Sequence, residues 1–483
     1  MKIAIIGMGA AGISVLRELV TQIDDLSNRS LFIYSDEDLF GTGLPYQQDD
    51  ESIILNQYTE TMSLKPDDEL DFVKWVQKNK QKTDVIEKYM PRSWYGEYLQ
   101  ELLNHLLNQT DAVVKKDTVT SIRLTDDRKY VVKTETEEET VNCIHLATGH
   151  LAYQDPYKLK GKKNYIHLPY PVIEKVKDIP VDSSVAILGT GLTAIDLMNY
   201  LRNKSPKMKI AMVSPDGKFS SVRGSKLEHT LSYLIVERLH AEKDKHDGMV
   251  PFKIIKCLFT EEVNSLGLDL KKIWSSYGIG TVEGLRFDLE HLDEIGKFQS
   301  IIASMKDLYA EIWNLLSEAG REEFLTDYAE RFLAFRSPIP TTSAQKIIDS
   351  VDRGYVKVYK DIKDIKKDKD VFHINFTSSD VSLEADYLLN GTGQSADLKE
   401  NWHEQDILIQ QLLNERILTP YSHGGVQIIY PDMSVISQRY GVLSSFKAYG
   451  QLVSGINYFN NTVGLISQGA INGVKSMVDE LTN

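Results

Sequence analysis

Cysteine is nearly missing from these 483 residues: Cys143 and Cys257 stand alone and far apart. No Cys-x-x-Cys pair exists, so a redox-active disulfide is excluded by arithmetic and no disulfide framework can hold the fold. Long apolar runs are missing too, since no stretch approaches the roughly 20 apolar residues that cross a bilayer. The run after Lys2 is interrupted by Gly7, too soon for the core of a signal peptide, and reads as a strand. Concentrated positive charge is the third absence. The formal net charge is −14, and no segment gathers the Lys and Arg that a phosphate backbone or an anionic lipid surface demands. Nucleic acid and membrane are therefore not expected as partners, and a reducing cytoplasm is the expected setting. No metal-ligand cluster is expected, and no Ser-His-Asp order stands out.

What is present begins with size. A chain of 483 residues is too long for one ordinary core, and its 42% hydrophobic and 9% aromatic content fits a soluble globular protein of two or three domains. Ile3 to Ile6 form a short apolar run, followed by Gly7, Gly9 and Gly12 at the spacing of a dinucleotide-binding turn. Gly7 allows the sharp turn, Gly9 the close approach of a pyrophosphate, and Gly12 tight helix-on-strand packing. The helical periodicity from Ile13 to Val20 points the amides of Ala10 and Ala11 at the anion. The pattern recurs: Ser184 to Leu188 reads as a second buried strand, and Gly189, Thr190, Gly191, Leu192, Thr193 and Ala194 as a second turn entering a helix. Two such units are far more specific than one, and one FAD with one NAD(P)H is the economical assignment.

The strand ends carry the next signals. Leu31 to Ser35 reads as a second strand, where an acid usually accepts from both ribose hydroxyls. Either Ser35 or Asp36 takes that position. Lys209 to Ser214 ends without an acid, and Ser214, Lys218 and Arg223 could cradle a 2′-phosphate, which tilts the expectation toward NADPH over NADH. Further strands are read at Val113–Val114, Val119–Leu124, Tyr130–Lys133, Asn142 onward, Val356–Tyr359, Val371–Phe376, Asp386–Asn390, and around Ile428 and Val435. Helices are read over Asp67–Lys78, Leu192–Leu201, Leu227–His240, Phe252–Leu266, Asp293–Ile312, Trp313–Phe335, from Ile407, and over Leu465–Leu481.

The order of the motifs resembles that of flavoproteins with two dinucleotide-binding domains, the bacterial amino-acid N-hydroxylases and urate-hydroxylase-like proteins, and more distantly the class B flavin monooxygenases. The resembling blocks are the first glycine turn, Gly41-Thr-Gly-Leu-Pro-Tyr46, Leu55-Asn56 with Met62-Ser63, Pro91 to Leu99, Ala147-Thr-Gly-His150, Gly189 to Asp196, Asn390-Gly-Thr-Gly393 and the tail from Leu412 to Ala470. The resemblance implies an α/β fold of two Rossmann-like domains, the FAD domain discontinuous and the NAD(P) domain carrying a mostly helical insertion. The expected boundaries are 1–175 and 386–483 for the FAD domain, 176–224 and 341–385 for the NAD(P)H domain, and 225–340 for the insertion.

The same resemblance implies that Gly41, Gly43 and Tyr46 line the flavin, and that Asn56, Met62 and Ser63 reach its edge. Arg92 would fork onto cofactor phosphates, the Val119 backbone would meet adenine, and Thr148 with Gly149 would let a strand end pass under the cofactor. Gly393 would repeat that strand end, while Gly450 and Gln451 would close over the ribityl phosphate. His150, as a proton carrier or a hinge, and Arg336, facing an anionic substrate or the nicotinamide, are the candidate catalytic residues. The implied activity is FAD-dependent, NAD(P)H-driven hydroxylation of a small amine-type nucleophile with molecular oxygen, through a C4a-hydroperoxyflavin. A reductase without oxygen insertion and a non-catalytic flavin- or nucleotide-sensing protein are the alternatives. A homo-oligomer is compatible with all three.

Overall fold

The computed structural model describes every residue except 25, 27–28, 379–381, 400, 459–461 and 483. The chain divides into two compact units, Met1–Ala152 with Gln394–Asn483, and Tyr153–Gly393.

The first unit opens with β1 (Lys2–Ile6), α1 (Ala10–Gln22) and β2 (Ser30–Tyr34), then α2 (Asp71–Lys80), α3 (Arg92–Leu107) and β3 (Val113–Lys115). A polar meander of β4 (Ser121–Leu124), β5 (Tyr130–Lys133) and β6 (Glu138–Val141) precedes β7 (Cys143–Leu146). Positions 3–6 of β1 and all of β7 are buried, as continuous apolar strands inside a parallel sheet must be. β1 lies between β2 and β7, with Ile5 opposite Ile33 and His145.

The second unit runs β8 (Tyr165–Ile166), α4 (Val172–Val176), β9 (Val185–Leu188), α5 (Leu192–Lys204) and β10 (Ile210–Val213). A helical stretch follows: α6 (Val236–Lys245), α7 (Phe252–Ser265), α8 (Leu270–Ser276), α9 (Val282–Glu290), α10 (Leu292–Ser304), α11 (Tyr309–Leu315), α12 (Glu318–Asp327), α13 (Ala329–Arg336) and α14 (Thr341–Asp352). Then come β11 (Val356–Tyr359), a meander of β12 (Ile362–Asp368), β13 (Val371–Phe376) and β14 (Leu383–Ala385), and β15 (Tyr387–Asn390). The parallel order is β11-β10-β9-β15-β8.

Back in the first unit, α15 (Ile407–Asn414) leads to β16 (Ile428–Ile429), β17 (Ser434–Ser437), β18 (Gly441–Ala448) and α16 (Val463–Thr482). β18 pairs in parallel with β7, and the sheet reads β16-β17-β18-β7-β1-β2-β3. The beginning and end of the chain thus share one sheet, and α16 packs on α1, where Arg17 donates to Ser467 Oγ at 2.9 Å. Both units use the same order around the strand that leads into the glycine turn, β3-β2-β1-β7 and β11-β10-β9-β15, with a three-stranded meander before the last strand of each set.

Several sequence expectations shift. Residues 153–175 and 386–393, expected with the first unit, belong to the second, because β8 and β15 pair there. The helix expected over Leu227–His240 starts only at Val236, because the fully buried Glu262 carboxylate accepts from the amides of Ser232, Tyr233 and Leu234 and holds that backbone out of a helix. The 293–312 pattern breaks after Ser304, and 313–335 divides where the Ser317 hydroxyl caps α12 by accepting from the Gly320 amide. Helices α3 and α14 and the charged strand β12 were not anticipated.

Candidate nucleotide sites

In the first unit, the Gly7 amide donates to Tyr34 O at 2.8 Å and the Ala147 amide to Ile6 O at 2.7 Å, so the turn sits at the shared end of β1, β2 and β7. Gly7 has φ +93°, and a Cβ there would lie 2.2 Å from Ala147 O. A Cβ on Gly12 would lie 2.0 Å from Gly7 O, so both glycines are sterically required. Gly9 is the N-cap of α1 without a side-chain cap, and the first helical bond runs from the Ile13 amide to Gly9 O. The amides of Ala10, Ala11 and Gly12 therefore precede the helix's own ladder, the arrangement that receives an anion.

Two distant segments converge on this helix start. The Gly41 amide donates to Met8 O at 2.8 Å, which brings Gly43 against Gly9: a Cβ on Gly9 would lie 3.3 Å from Gly43 Cα. From the other end of the chain, the Tyr449 amide donates to Leu146 O, and Gly450, at φ +66°, has its Cβ position 3.5 Å from Ala11 Cβ. Gly9, Gly43 and Gly450 thus form a side-chain-free rim around the start of α1. Thr148 and Gly149 (φ +83°) continue it past β7, and a Cβ on Gly149 would meet nothing within 4 Å.

Arg92 stands at the first turn of α3, held where residues 53–55 run beside 90–92: its amide donates to Ile53 O and its Nε to Ile54 O at 3.0 Å. Its guanidinium is close enough to act on both Tyr46 and His150. Burial, aided by Arg92, lowers the His150 pKa to about 4, so the imidazole is neutral near pH 7. Tyr46 packs edge-on against Tyr95 at 4.7 Å and is kept protonated by burial. Gly96, which sequence reasoning passed over, is required here: a Cβ on it would lie 1.9 Å from Tyr46 O.

The other expected residues are more dispersed. Ser35 is buried, its amide donating to Lys115 O, while Asp36 is exposed and caps its own turn by accepting from Asp38 N at 2.9 Å. Met62 is packed in the apolar core, and the Ser63 hydroxyl donates to Asp68 O at 2.6 Å within its own loop. Asn56 is half-buried just after the 53–55 segment, Val119 is buried ahead of β4, and Gln451 follows Gly450 in a short 3-10 turn.

The second unit repeats the first turn closely. The Gly189 amide donates to Val213 O at 2.7 Å, and the Ile195 amide to Gly191 O at 3.0 Å. Gly191 is the uncapped N-cap of α5, leaving the amides of Leu192, Thr193 and Ala194 ahead of the ladder. Gly189 has φ +107°, its Cβ position 2.8 Å from Gly391 O, and Gly393 repeats Gly149 with φ +81° and nothing within 4 Å of a Cβ. One methyl has changed sides. Where the first unit has Gly12 and Ala147, the second has Ala194 and Gly391, and a Cβ on Gly391 would lie 2.9 Å from Ala194 Cβ.

Beyond β10, the Thr190 hydroxyl donates to Ser214 Oγ at 3.3 Å and to Lys218 O, and Ser214 Oγ donates to Asp216 Oδ1 at 3.2 Å. Lys218 Nζ pairs with Glu330 at 2.8 Å on the surface, and Arg223 is held by its amide on Ile339 O. Arg336, at the end of α13, stacks over Tyr309 at 5.6 Å. Ser214, Thr190 and Lys218 are therefore one constellation, while Arg336 sits among the insertion helices.

Two sheets with parallel centres, each with an uncapped glycine turn leading from β1 or β9 into a helix, define a chain of two Rossmann-like domains, the first discontinuous and the second interrupted by helices. A family model described as FAD-NAD(P)-binding matches residues 4–151. No curated protein matches the chain by sequence. Among solved structures, an ornithine hydroxylase (PvdA) from Pseudomonas aeruginosa is similar at 13% identity, with 99% of each chain covered and a TM-score of 0.58. An L-lysine 6-monooxygenase from Pseudomonas syringae is similar at 15% identity over 100% of this chain and 99% of that one, with a TM-score of 0.60. An ornithine N-hydroxylase from Kutzneria sp. 744, with reduced FAD, NADP+ and L-ornithine, is similar at 13% identity over 99% of each chain, with a TM-score of 0.58. At these identities the likeness establishes the fold.

Proposed function

We propose that the protein is an FAD-dependent, NAD(P)H-driven monooxygenase that hydroxylates a small amine, with FAD in the first unit and the nicotinamide nucleotide in the second. The observation that carries this reading is the rim of Gly9, Gly43 and Gly450, three residues without side chains set close around the amides that begin α1. It fits a pyrophosphate: the amides of Ala10, Ala11 and Gly12 donate to it, and the glycines let the backbone close on it. Ser35 or Asp36 meets the ribose, and Arg92 is the cation set beside the rim for an anionic edge of the cofactor. Held there, FAD would supply the redox chemistry that links oxidation of the nicotinamide to reduction of molecular oxygen and hydroxylation of the amine, with the second oxygen atom leaving as water.

The protein's own residues bind, orient and keep the environment dry. His150, neutral at pH 7, can donate one hydrogen bond and accept another but carries no acidic proton to deliver, which favours a hinge or packing role over that of a proton carrier. Thr190 and Ser214 shape the second turn, and a serine rather than an acid at position 214, just past β10, supports NADPH before NADH. The fold likeness to amine hydroxylases supports the amine as substrate class. A cytoplasmic setting belongs to the same reading, and no described helix is long and apolar enough to cross a membrane.

The test is spectroscopic. The isolated protein should carry or take up FAD, bleach on NADPH addition, and yield hydroxylamine product from a diamine or basic amino acid with oxygen consumed in proportion. Bleaching without product from any amine would favour the reductase alternative, and failure to take up FAD would overturn the reading.

A further inference from the structure

Beneath the rim of the first unit lies a buried polar cluster to which the proposed function assigns nothing. His145, in the middle of β7, is fully buried, and its Nδ1 lies 2.8 Å from the Tyr449 hydroxyl, the two rings stacked at 5.7 Å. Tyr449 is 1% exposed and directly follows β18, and its own amide donates to Leu146 O on β7. The opposite wall is α16. The Tyr449 hydroxyl occupies the space a side chain at Gly473 would need, since a Cβ there would lie 2.3 Å from it. Three segments therefore meet at one phenol: β7 through an imidazole nitrogen, the end of β18 through the residue that follows it, and α16 through a missing side chain. Directly after that phenol the chain turns at Gly450, the glycine that faces Ala11 at the start of α1.

We propose that Tyr449, latched to His145 and seated against Gly473, is a positioning residue that sets Gly450 against the start of α1 and thereby fixes flavin affinity. The inference rests on the reading of the first unit as the FAD site. A phenol so buried has little else to do. Phenylalanine would fill the same space, whereas the hydroxyl adds direction, since a hydrogen bond to one ring nitrogen fixes both rings and the backbone between them. Burial keeps the imidazole neutral, so it can act as the acceptor that the phenol requires throughout the physiological range.

Two variants test the latch. Tyr449→Phe removes the hydroxyl and leaves a buried ring nitrogen without it; Gly473→Ala drives a methyl into the hydroxyl while improving the intrinsic helix propensity of α16. Apoprotein is titrated with FAD by flavin fluorescence, its melting temperature is recorded without FAD, and turnover is measured at saturating FAD. Both variants should weaken FAD binding about tenfold while kcat at saturating FAD and the KM for NADPH stay at wild-type values. An unchanged FAD affinity in both, with or without a lower melting temperature, makes the contact ordinary packing and overturns the latch. Wild-type protein that takes up no FAD would instead sink the cofactor reading itself.

Discussion

Gly9→Ala should separate binding from folding more cleanly than any other change in the rim. Gly9 has φ −90° and ψ −161°, a conformation alanine adopts freely. The new Cβ would sit 3.3 Å from Gly43 Cα and 3.6 Å from Gly43 N, so the neighbour must yield by only a few tenths of an ångström. Against that stands the gain of about 0.4–1 kcal/mol from a less flexible unfolded chain. Folding stability should therefore change by less than about 1 kcal/mol, which shifts Tm by about 2–4 °C in a unit of this size. Binding is another matter. If the proposed pyrophosphate lies against the start of α1, the methyl crowds its approach, and losing one charge-assisted hydrogen bond of about 1.5–3 kcal/mol raises Kd by about 10- to 100-fold. The assays are thermal melting by circular dichroism and FAD titration by fluorescence quenching. Gly12→Ala is the contrast, because its Cβ would lie 2.0 Å from Gly7 O and must displace α1 itself, losing stability with or without ligand. A Gly9→Ala protein with wild-type FAD affinity would refute the cradle.

Three further outcomes follow from the same geometry. Gly391→Ala should destabilise the second unit by about 1–3 kcal/mol, and Ala194→Gly added to it should recover part of that loss, as denaturant midpoints of the single and double variants would show. Glu262→Gln should loosen residues 229–234 and cost about 1.5–3 kcal/mol, read by hydrogen exchange at the amides of Ser232, Tyr233 and Leu234. Burial lowers the pKa of His145 to about 3 and of His150 to about 4, so between those values and the unfolded value of about 6.5 the unfolded chain binds more protons. Stability should thus fall as pH drops from 7 to 5, and His145→Asn should flatten that dependence in a series of thermal melts.

Much of this architecture could be read from local pattern, because a glycine turn is a local object: Gly7, Gly9 and Gly12, and again Gly189 and Gly191, sit at the junction of an apolar run and a helical period. The strand-end pairs Thr148-Gly149 and Thr392-Gly393 were legible for the same reason. Requirements set by a remote backbone were not. Nothing near Gly96 announces that Tyr46 O will lie against it, nor anything near Gly473 that a phenol from residue 449 will fill its space. Helix α3 was obscured because Arg92 and its aromatic neighbours invited a reading by chemistry rather than by period. β12 was missed because Lys and Asp dominate a strand whose partner, β13, supplies most of the apolar side. The hydroxyl of Ser63, read as a flavin contact, turned inward to its own loop, a choice that short polar side chains make without leaving a trace in the pattern.

The pairing of β18 with β7 also orders events during synthesis. All strands of the second unit lie within one continuous segment, so its sheet can close once residue 393 has left the ribosome. The opening half of the first unit, although made earlier, must wait with one flank of β7 uncovered until β18 and α16 arrive some 300 residues later. The nascent chain therefore carries an open strand edge for most of its translation, and the domain begun first is the one completed last.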